Sequence, residues 1–123
     1  MADDDPFVRT FVRAVLEKQG FEVFAAQDGQ TALSIYNSRR DFSLIVTDIV
    51  MPAGDGIDLI LKIRRGTAPQ EQPKIIAISG GGYVQADLYL ESARGLGADV
   101  ALEKPFSALD LTDALSHLGF ETK

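Results

Sequence analysis

The chain has 123 residues, and its 18 acidic and 12 basic side chains give it a formal net charge of −6. That length fits one domain, and a content of 46% hydrophobic and 24% charged residues is typical of a globular protein. The acidic balance argues against direct binding to nucleic acid or to an anionic membrane, and the absence of cysteine excludes disulfides and thiolate chemistry. Because no apolar run is long enough to span a bilayer and no basic signal segment opens the chain, we expect a cytoplasmic protein.

The predicted elements alternate between helices and short strands. Residues 7–18 have helical spacing of apolar side chains, Pro6 suits the first turn, and Gly20 follows the end. Later segments show either the same spacing or short runs of apolar and β-branched residues, which predict strands. In chain order the predictions are a strand at 21–26, a helix at 31–38, a strand at 42–47, a helix at 57–65, a strand at 74–79, a helix at 84–94, a strand at 100–102 and a helix at about 108–118.

Strands that alternate with helices imply a parallel sheet with right-handed crossovers, which is an α/β fold. In an open sheet of this kind, functional groups collect at the carboxyl ends of the strands. The residues expected at that edge are three acids, one hydroxyl and one lysine: Asp3, Asp4, Asp48, Ser79 and Lys104.

Three carboxylates that converge at one sheet edge repel one another, and a single lysine does not neutralise them. A hard divalent cation relieves this repulsion, and Mg²⁺ with a few protein oxygens and several waters suits such a site. The alternative is that each acid only complements the dipole of a helix N-terminus. That alternative explains any one aspartate well but explains the whole set, with Ser79 and Lys104, poorly.

Four segments carry a more specific resemblance. They are the Asp3-Asp4 pair, the run LIVTDIVMP at 44–52 followed by Gly54 and Gly56, the triplet ISG at 78–80, and LEKPF at 102–106. In this order, and over essentially the whole chain, they resemble the receiver domain of two-component response regulators. The resemblance implies a single receiver domain at residues 1–123, with a flavodoxin-like, doubly wound parallel sheet of five βα units.

The resemblance also implies a function and a set of site residues. Receivers accept a phosphoryl group from a sensor histidine kinase, or from a phosphotransfer protein, in a Mg²⁺-dependent reaction, and then switch conformation to control an output partner or domain. The position that matches the phosphoacceptor is Asp48, Ser79 matches the switch hydroxyl, and Lys104 matches the lysine that contacts the phosphoryl group. Lys104-Pro105 matches the cis peptide of the family.

The metal ligands that the resemblance implies are the Asp3 and Asp4 carboxylates, with Asp4 the favoured direct ligand, together with Asp48 and the backbone carbonyl of Val50. No organic cofactor is implied. The expected activity is self-phosphorylation and slow self-dephosphorylation, so we do not expect an enzyme that turns over a free substrate. Apolar residues of the first helix, Phe7, Val8 and Phe11, exceed what one buried face needs and suggest a partner surface.

Two features depart from the pattern of the family. Receivers usually carry an aromatic residue three positions before the conserved lysine, and Ala101 stands there, so the usual coupling to an output is in doubt. In addition, family members have an apolar strand of about five residues before the acidic pair, of which only Met1-Ala2 matches the end. Either the sequence is cut or mis-started, or the strands on either side close directly, or another copy supplies the pairing. We expect altered association, most simply an oligomer or a strand-swapped assembly.

Two other functions remain as alternatives. A phosphohydrolase of the haloacid dehalogenase type also uses an aspartate after a strand, but it needs a second aspartate two residues later, where Val50 stands. A pseudo-receiver that acts only as a binding module is favoured by Ala101 and by the short first strand. The sequence identifies neither a cognate kinase nor an output domain, which could lie outside these residues.

Overall fold

The computed structural model of the chain describes residues 1–51, 56–80, 95 and 97–122. Within these ranges, the helices are α1 (Pro6–Lys18), α2 (Gly29–Arg39), α3 (Gly56–Arg65) and α4 (Ala108–His117), the strands are β1 (Leu44–Asp48), β2 (Lys74–Ser79) and β3 (Val100–Glu103), and a short 3₁₀ helix spans Pro69–Glu71. The helix predicted at 84–94 lies outside the described residues, as do Pro52 and Gly54 of the loop that follows Asp48. The other predicted helices are confirmed, with small shifts of their ends.

Three of the helices, α1, α2 and α4, begin where a side chain accepts a hydrogen bond from an N–H group of the first turn. The carboxylate of Asp5 accepts a hydrogen bond from the N–H of Phe7 at 2.9 Å, and Asp28 caps α2 in a similar way. At the start of the last helix, Ser107 and Asp110 form a reciprocal capping box. Among the described helices, none has both the length and the hydropathy needed to cross a membrane.

The three described strands form a parallel sheet in the order β1-β2-β3. Residues 75–79 of β2 are all buried, as expected for a strand with helices on both faces. One face of the sheet carries a core with buried side chains from α2 and α3, and the opposite face carries a core with buried side chains from α1 and α4. The predicted α/β layering is therefore present in the structure.

The strand predicted at residues 21–26 is wrong. Only Ala26 has strand pairing, through a bridge to Ala2, which also bridges to Thr47 of β1. Because a strand is defined by its hydrogen-bonded neighbour, an apolar β-branched run without one does not form a ladder. Residues 1–3 contact only the end of this segment: the ammonium group of Met1 donates to the carbonyl of Phe24 at 2.9 Å, and the N–H of Ala26 donates to the carbonyl of Met1 at 2.8 Å.

Ala2 lies between the two neighbouring segments and holds them apart at the end near the acids. Its N–H donates to the carbonyl of Val46, its carbonyl accepts from the N–H of Asp48, and both distances are 2.8 Å. On the other side, the N–H of Asp3 donates to the carbonyl of Ala26 at 3.1 Å. Direct closure of the two segments, one of the three alternatives raised by the sequence, is therefore excluded at this end. Altered association stays a prediction, which light scattering of the chain would check.

Candidate functional site

The predicted site residues lie together at the carboxyl edge of the sheet. Asp48 ends β1, Ser79 ends the neighbouring β2, and Lys104 directly follows β3. The N–H of Lys104 donates to the carbonyl of Ser79 at 2.7 Å, which joins the ends of β2 and β3. One oxygen from each of Asp3, Asp4 and Asp48 lies within 4.8 Å of the others. The convergence inferred from alternating strands and helices is thus confirmed.

Lys104 sits between two of the carboxylates. Its Nζ is 3.0 Å from Oδ2 of Asp3 and 3.2 Å from Oδ2 of Asp48. Asp3 is fully buried and Asp48 is 4% exposed, so both charges are largely withdrawn from water. Asp4, in contrast, is exposed. The Lys104–Pro105 peptide bond is cis, as the resemblance implies.

The other oxygens of the two buried carboxylates have main-chain partners. Oδ1 of Asp3 accepts from the N–H of Asp5 at 2.8 Å, and Oδ1 of Asp48 accepts from the N–H of Val50 at 3.2 Å. The side chain of Val50 is exposed. The role of its carbonyl as a metal ligand stays a prediction.

The electrostatics of the site follow from burial and like charge. Burial, and next the neighbouring charge of Asp3, raise the pKa of Asp48 above its usual value of 3.8, although Lys104 opposes this shift. Burial by itself lowers the pKa of Lys104, but its ion pairs with the carboxylates of Asp3 and Asp48 outweigh this effect, so the pKa of Lys104 is raised. The lysine is therefore charged at neutral pH. The ionised form of Asp48 is destabilised by the neighbouring charge of Asp3.

The donor set fits a hard cation. Oδ2 of Asp3 is completely buried and, despite its contact with Lys104, forms no hydrogen bond of acceptable geometry with the described residues. Three carboxylates face a single ammonium group there, which leaves an excess of negative charge. Closely spaced carboxylate oxygens with an unsatisfied lone pair are the ligands that Mg²⁺ prefers. Asp3, Asp4 and Asp48 are the residues that could hold it.

Two further residues position the site. Nη1 of Arg9, on α1, donates to the backbone carbonyl of Asp3 at 2.8 Å. The sequence alone did not indicate this contact, although a cation in the first turn of the helix that follows the acidic pair was a usable signal. Gly56 begins α3 so close to β1 that a Cβ atom on it would lie 1.9 Å from the carbonyl oxygen of Asp48. This close approach is the reason for a glycine at position 56, since any side chain there would overlap the backbone of β1.

Ala101, which stands where an aromatic residue is usual in receivers, lies on β3 and pairs with Ala77 of β2. Both residues are small, and Ala101 is half-buried. The structure therefore places no large ring at this position of the sheet.

Comparisons with known proteins agree with this geometry. The family model described as "Response regulator receiver domain" matches residues 1–116. A "Response regulator receiver protein CpdR" from Brucella abortus is 36% identical over 118 residues, which cover 96% of this chain and 92% of that protein. The "Transcriptional regulatory protein CpxR" from Escherichia coli is 33% identical over 111 residues, but these cover only 44% of its length. This chain thus spans about half the length of several of the regulators that it matches.

Solved structures show the same fold. The receiver domain of NtrX from Brucella abortus superposes with a TM-score of 0.80 at 30% identity, and the match covers 94% of this chain and 92% of that one. A response regulator receiver domain protein from Clostridium thermocellum gives a TM-score of 0.81 at 28% identity. The predicted flavodoxin-like fold is therefore confirmed. A model match over nearly the whole chain, together with these relatives and this geometry, shows that the chain belongs to the response regulator receiver domain family and functions in two-component signalling.

Proposed function

We propose that the chain accepts a phosphoryl group on Asp48 from a sensor histidine kinase or a phosphotransfer protein, in a Mg²⁺-dependent reaction. The observation that carries the proposal is the position of the Asp48 carboxylate, which is buried at the end of β1, 3.2 Å from the ammonium group of Lys104 and beside two further acids. Phosphoryl transfer depends on positioning and on neutralising charge more than on covalent help from the protein. This cluster supplies both.

The chemistry assigns one task to each residue. A carboxylate oxygen of Asp48 attacks phosphorus and forms an acyl phosphate, while the bond from phosphorus to the donor nitrogen breaks and its electron pair returns to the leaving imidazole. Lys104 neutralises the phosphoryl oxygens, and the hydroxyl of Ser79 donates its proton to one of them.

The oxygens proposed to hold Mg²⁺ are those of Asp3, Asp4, Asp48 and the Val50 carbonyl. When bound, the ion supplies positive charge opposite the transferred group. The chain also catalyses the slow hydrolysis of its own acyl phosphate, so it is a phosphoprotein signalling domain rather than an enzyme with a free substrate. We place it in the cytoplasm, where its kinase would act.

The phosphodonor is proposed to dock on α1 and the segment after β3. Phe7 is 84% exposed, and Phe11 is also exposed, with its ring centroid 6.0 Å from that of Phe106. These rings, with Val8 and Lys104, line one open groove. An apolar groove beside the phosphoacceptor fits a protein partner that must bring its own phosphoryl group to Asp48. A second partner, or an output domain beyond these residues, would receive the signal.

The test is phosphorylation with acetyl phosphate and Mg²⁺, followed by intact-mass and peptide mass spectrometry. We expect one acid-stable, alkali-labile phosphate on Asp48, its loss in the Asp48→Asn variant, and its absence in EDTA. Asp113→Asn, which removes an exposed acid on α4, is the matched control and should be labelled normally. A folded chain that carries no label at Asp48 would contradict the proposal and favour a pseudo-receiver.

A further inference from the structure

Of the three acids at the sheet edge, Asp4 is the one whose side chain has no anchor among the described residues. The carboxylate of Asp3 accepts from the N–H of Asp5 at 2.8 Å and lies 3.0 Å from the ammonium group of Lys104. Asp48 likewise accepts from a main-chain N–H and lies 3.2 Å from Lys104. The carboxylate of Asp4 is exposed and, within the described parts of the chain, forms no hydrogen bond or ion pair. The position of this carboxylate therefore depends on the main chain that carries it.

The main chain that precedes Asp4 is held by two hydrogen bonds. The N–H of Asp3 donates to the carbonyl of Ala26 at 3.1 Å. The carbonyl of Asp3 accepts from Nη1 of Arg9 at 2.8 Å. This carbonyl belongs to the peptide unit that joins Asp3 to Asp4, and a peptide unit is planar. The bond from Arg9 therefore fixes the plane from which Asp4 projects.

The guanidinium group of Arg9 comes from a firmly held part of α1. Asp5 caps this helix through the N–H of Phe7, and the carbonyl of Asp5 accepts from the N–H of Arg9 at 3.0 Å. One turn further along, Val12 is completely buried in the core. Arg9 is itself half-buried, which limits the freedom of its side chain. Because Asp5 also donates to the carboxylate of Asp3, the contacts of Arg9 close a hydrogen-bonded ring around the start of the helix.

We propose that Arg9 is a positioning residue of the metal site: by holding the Asp3–Asp4 peptide unit, it places the Asp4 carboxylate beside the oxygens of Asp3 and Asp48. The inference rests on the proposed function, in which these acids hold Mg²⁺. Its basis is that one oxygen of each acid lies within 4.8 Å of the others, although Asp4 has no side-chain anchor of its own. Groups that hold metal ligands in place commonly change metal affinity by about 10- to 100-fold.

The charge of Arg9 and its hydrogen bond predict opposite results when the residue is replaced. A positive charge near a cation site repels the cation, so its removal would by charge alone tighten Mg²⁺ binding. Loss of the hydrogen bond should instead weaken Mg²⁺ binding, because binding must then also order the Asp3–Asp4 peptide unit. A residue with only a structural role would lower the free energy of unfolding in EDTA and leave the Mg²⁺ affinity of the folded chain unchanged.

The experiment measures Mg²⁺ binding to the full chain by isothermal titration calorimetry, with urea unfolding in EDTA to show that each variant is folded. We expect Arg9→Met, which keeps the aliphatic stem, to bind Mg²⁺ at least about tenfold more weakly than the parent. Arg9→Lys keeps one donor for the single carbonyl and should stay within about threefold of the parent affinity. The control is Arg13→Met, which removes an exposed arginine of the same helix that pairs with Glu17, and its affinity should match that of the parent.

Labelling of Asp48 by acetyl phosphate gives a second readout. In Arg9→Met, the Mg²⁺ concentration that gives half-maximal labelling rate should rise by at least about tenfold, while the rate at saturating Mg²⁺ stays close to that of the parent. Arg9→Gln is also neutral and too short to reach the same carbonyl. It should show the same loss of affinity, and it replaces Arg9→Met if that variant does not fold.

Three results would overturn the inference. They are equal or tighter Mg²⁺ binding by a folded Arg9→Met or Arg9→Gln variant, an equal loss of affinity in Arg13→Met, and an equal loss in Arg9→Lys. A parent chain that binds Mg²⁺ but is not labelled at Asp48 would count against the proposed function alone. A parent chain that does not bind Mg²⁺ would overturn both.

Discussion

Asp48 occupies a position that is unfavourable for a charged carboxylate as long as no cation is bound. Its burial and the nearby charge of Asp3 raise its pKa, so folding favours its protonated form. The contribution of this group to stability is therefore fully present below its usual pKa of 3.8 and is lost as the pH rises through its raised value. At neutral pH, the ionised side chain of Asp48, the proposed phosphoacceptor, thus lowers the stability of the folded state.

The Asp48→Asn variant should be more stable than the parent in EDTA at pH 7, by about 1 kcal/mol, because the amide has no charge to bury beside Asp3. Below pH 4 the difference should vanish, since the parent carboxyl is then protonated. Urea unfolding at both pH values measures this. The exposed Asp113→Asn change is the control, and equal stability of Asp48→Asn and parent at pH 7 would contradict the assignment.

Lys104 has the opposite role, since it compensates two carboxylates at once. Replacing it by methionine keeps most of the aliphatic stem but leaves Asp3 and Asp48 facing each other, so we expect a loss of about 2–4 kcal/mol in EDTA. Mg²⁺ should restore part of this loss, because the cation takes over the compensation. Unfolding curves with and without Mg²⁺ check this.

The matched control is Lys62→Met, which removes an exposed lysine that pairs with Asp58 one turn earlier in α3. Exposed pairs of this kind contribute little to stability. If the two methionine variants lost the same stability, or if Mg²⁺ restored both equally, Lys104 would not be the compensating charge of the site.

At the scale of elements, local signals placed the helices well. Proline in the first turn, aspartate or serine caps and apolar spacing are local properties, and α1 and α4 begin where these signals stand. The strand predicted at 21–26 failed because strand formation depends on a neighbour from elsewhere in the chain. Sequence pattern alone does not say whether that neighbour reaches far enough.

At the contact between α3 and β1, Gly56 lies directly against the backbone of Asp48. The Gly56→Ala variant should lose about 2–4 kcal/mol of unfolding free energy, because its Cβ would overlap the Asp48 carbonyl oxygen and push α3 from the end of β1. Its labelling by acetyl phosphate should fall as well, since the overlap displaces the phosphoacceptor. Thermal unfolding and mass spectrometry measure the two effects.

Gly95→Ala is the control, because a Cβ atom at Gly95 meets nothing within 4 Å. It should leave both stability and labelling close to those of the parent. A Gly56→Ala variant that behaves like this control would show that the close approach does not constrain the site.

For the whole molecule, the structure shows where some of the acidic residues behind the formal net charge of −6 lie. Part of the excess lies at one sheet edge, where three acids meet one lysine. Folding assembles this cluster from distant parts of the chain, so a cation that binds it must stabilise the folded state. The free energy of unfolding therefore reports whether a cation binds the cluster, and this measurement does not depend on phosphorylation.

Mg²⁺ at about ten times its dissociation constant should raise the free energy of unfolding by about 1.4 kcal/mol. Sodium chloride at equal ionic strength should not reproduce the effect, and Asp3→Asn should reduce it, because the buried oxygen without a hydrogen bond is then part of a neutral amide. Calorimetric melting temperatures measure it. An equal response to sodium would mean that only general screening acts.

The α/β class, most helix boundaries and the residues expected at the functional edge could be predicted from sequence alone. These depend on local spacing and on the rule that parallel strands present their carboxyl ends together. The folded structure was needed to show that Lys104 lies between Asp3 and Asp48, that Gly56 lies against β1 and that Arg9 bonds the Asp3 carbonyl. It also decided that residues 21–26 lack a ladder, because contacts between distant segments depend on packing in three dimensions rather than on local pattern.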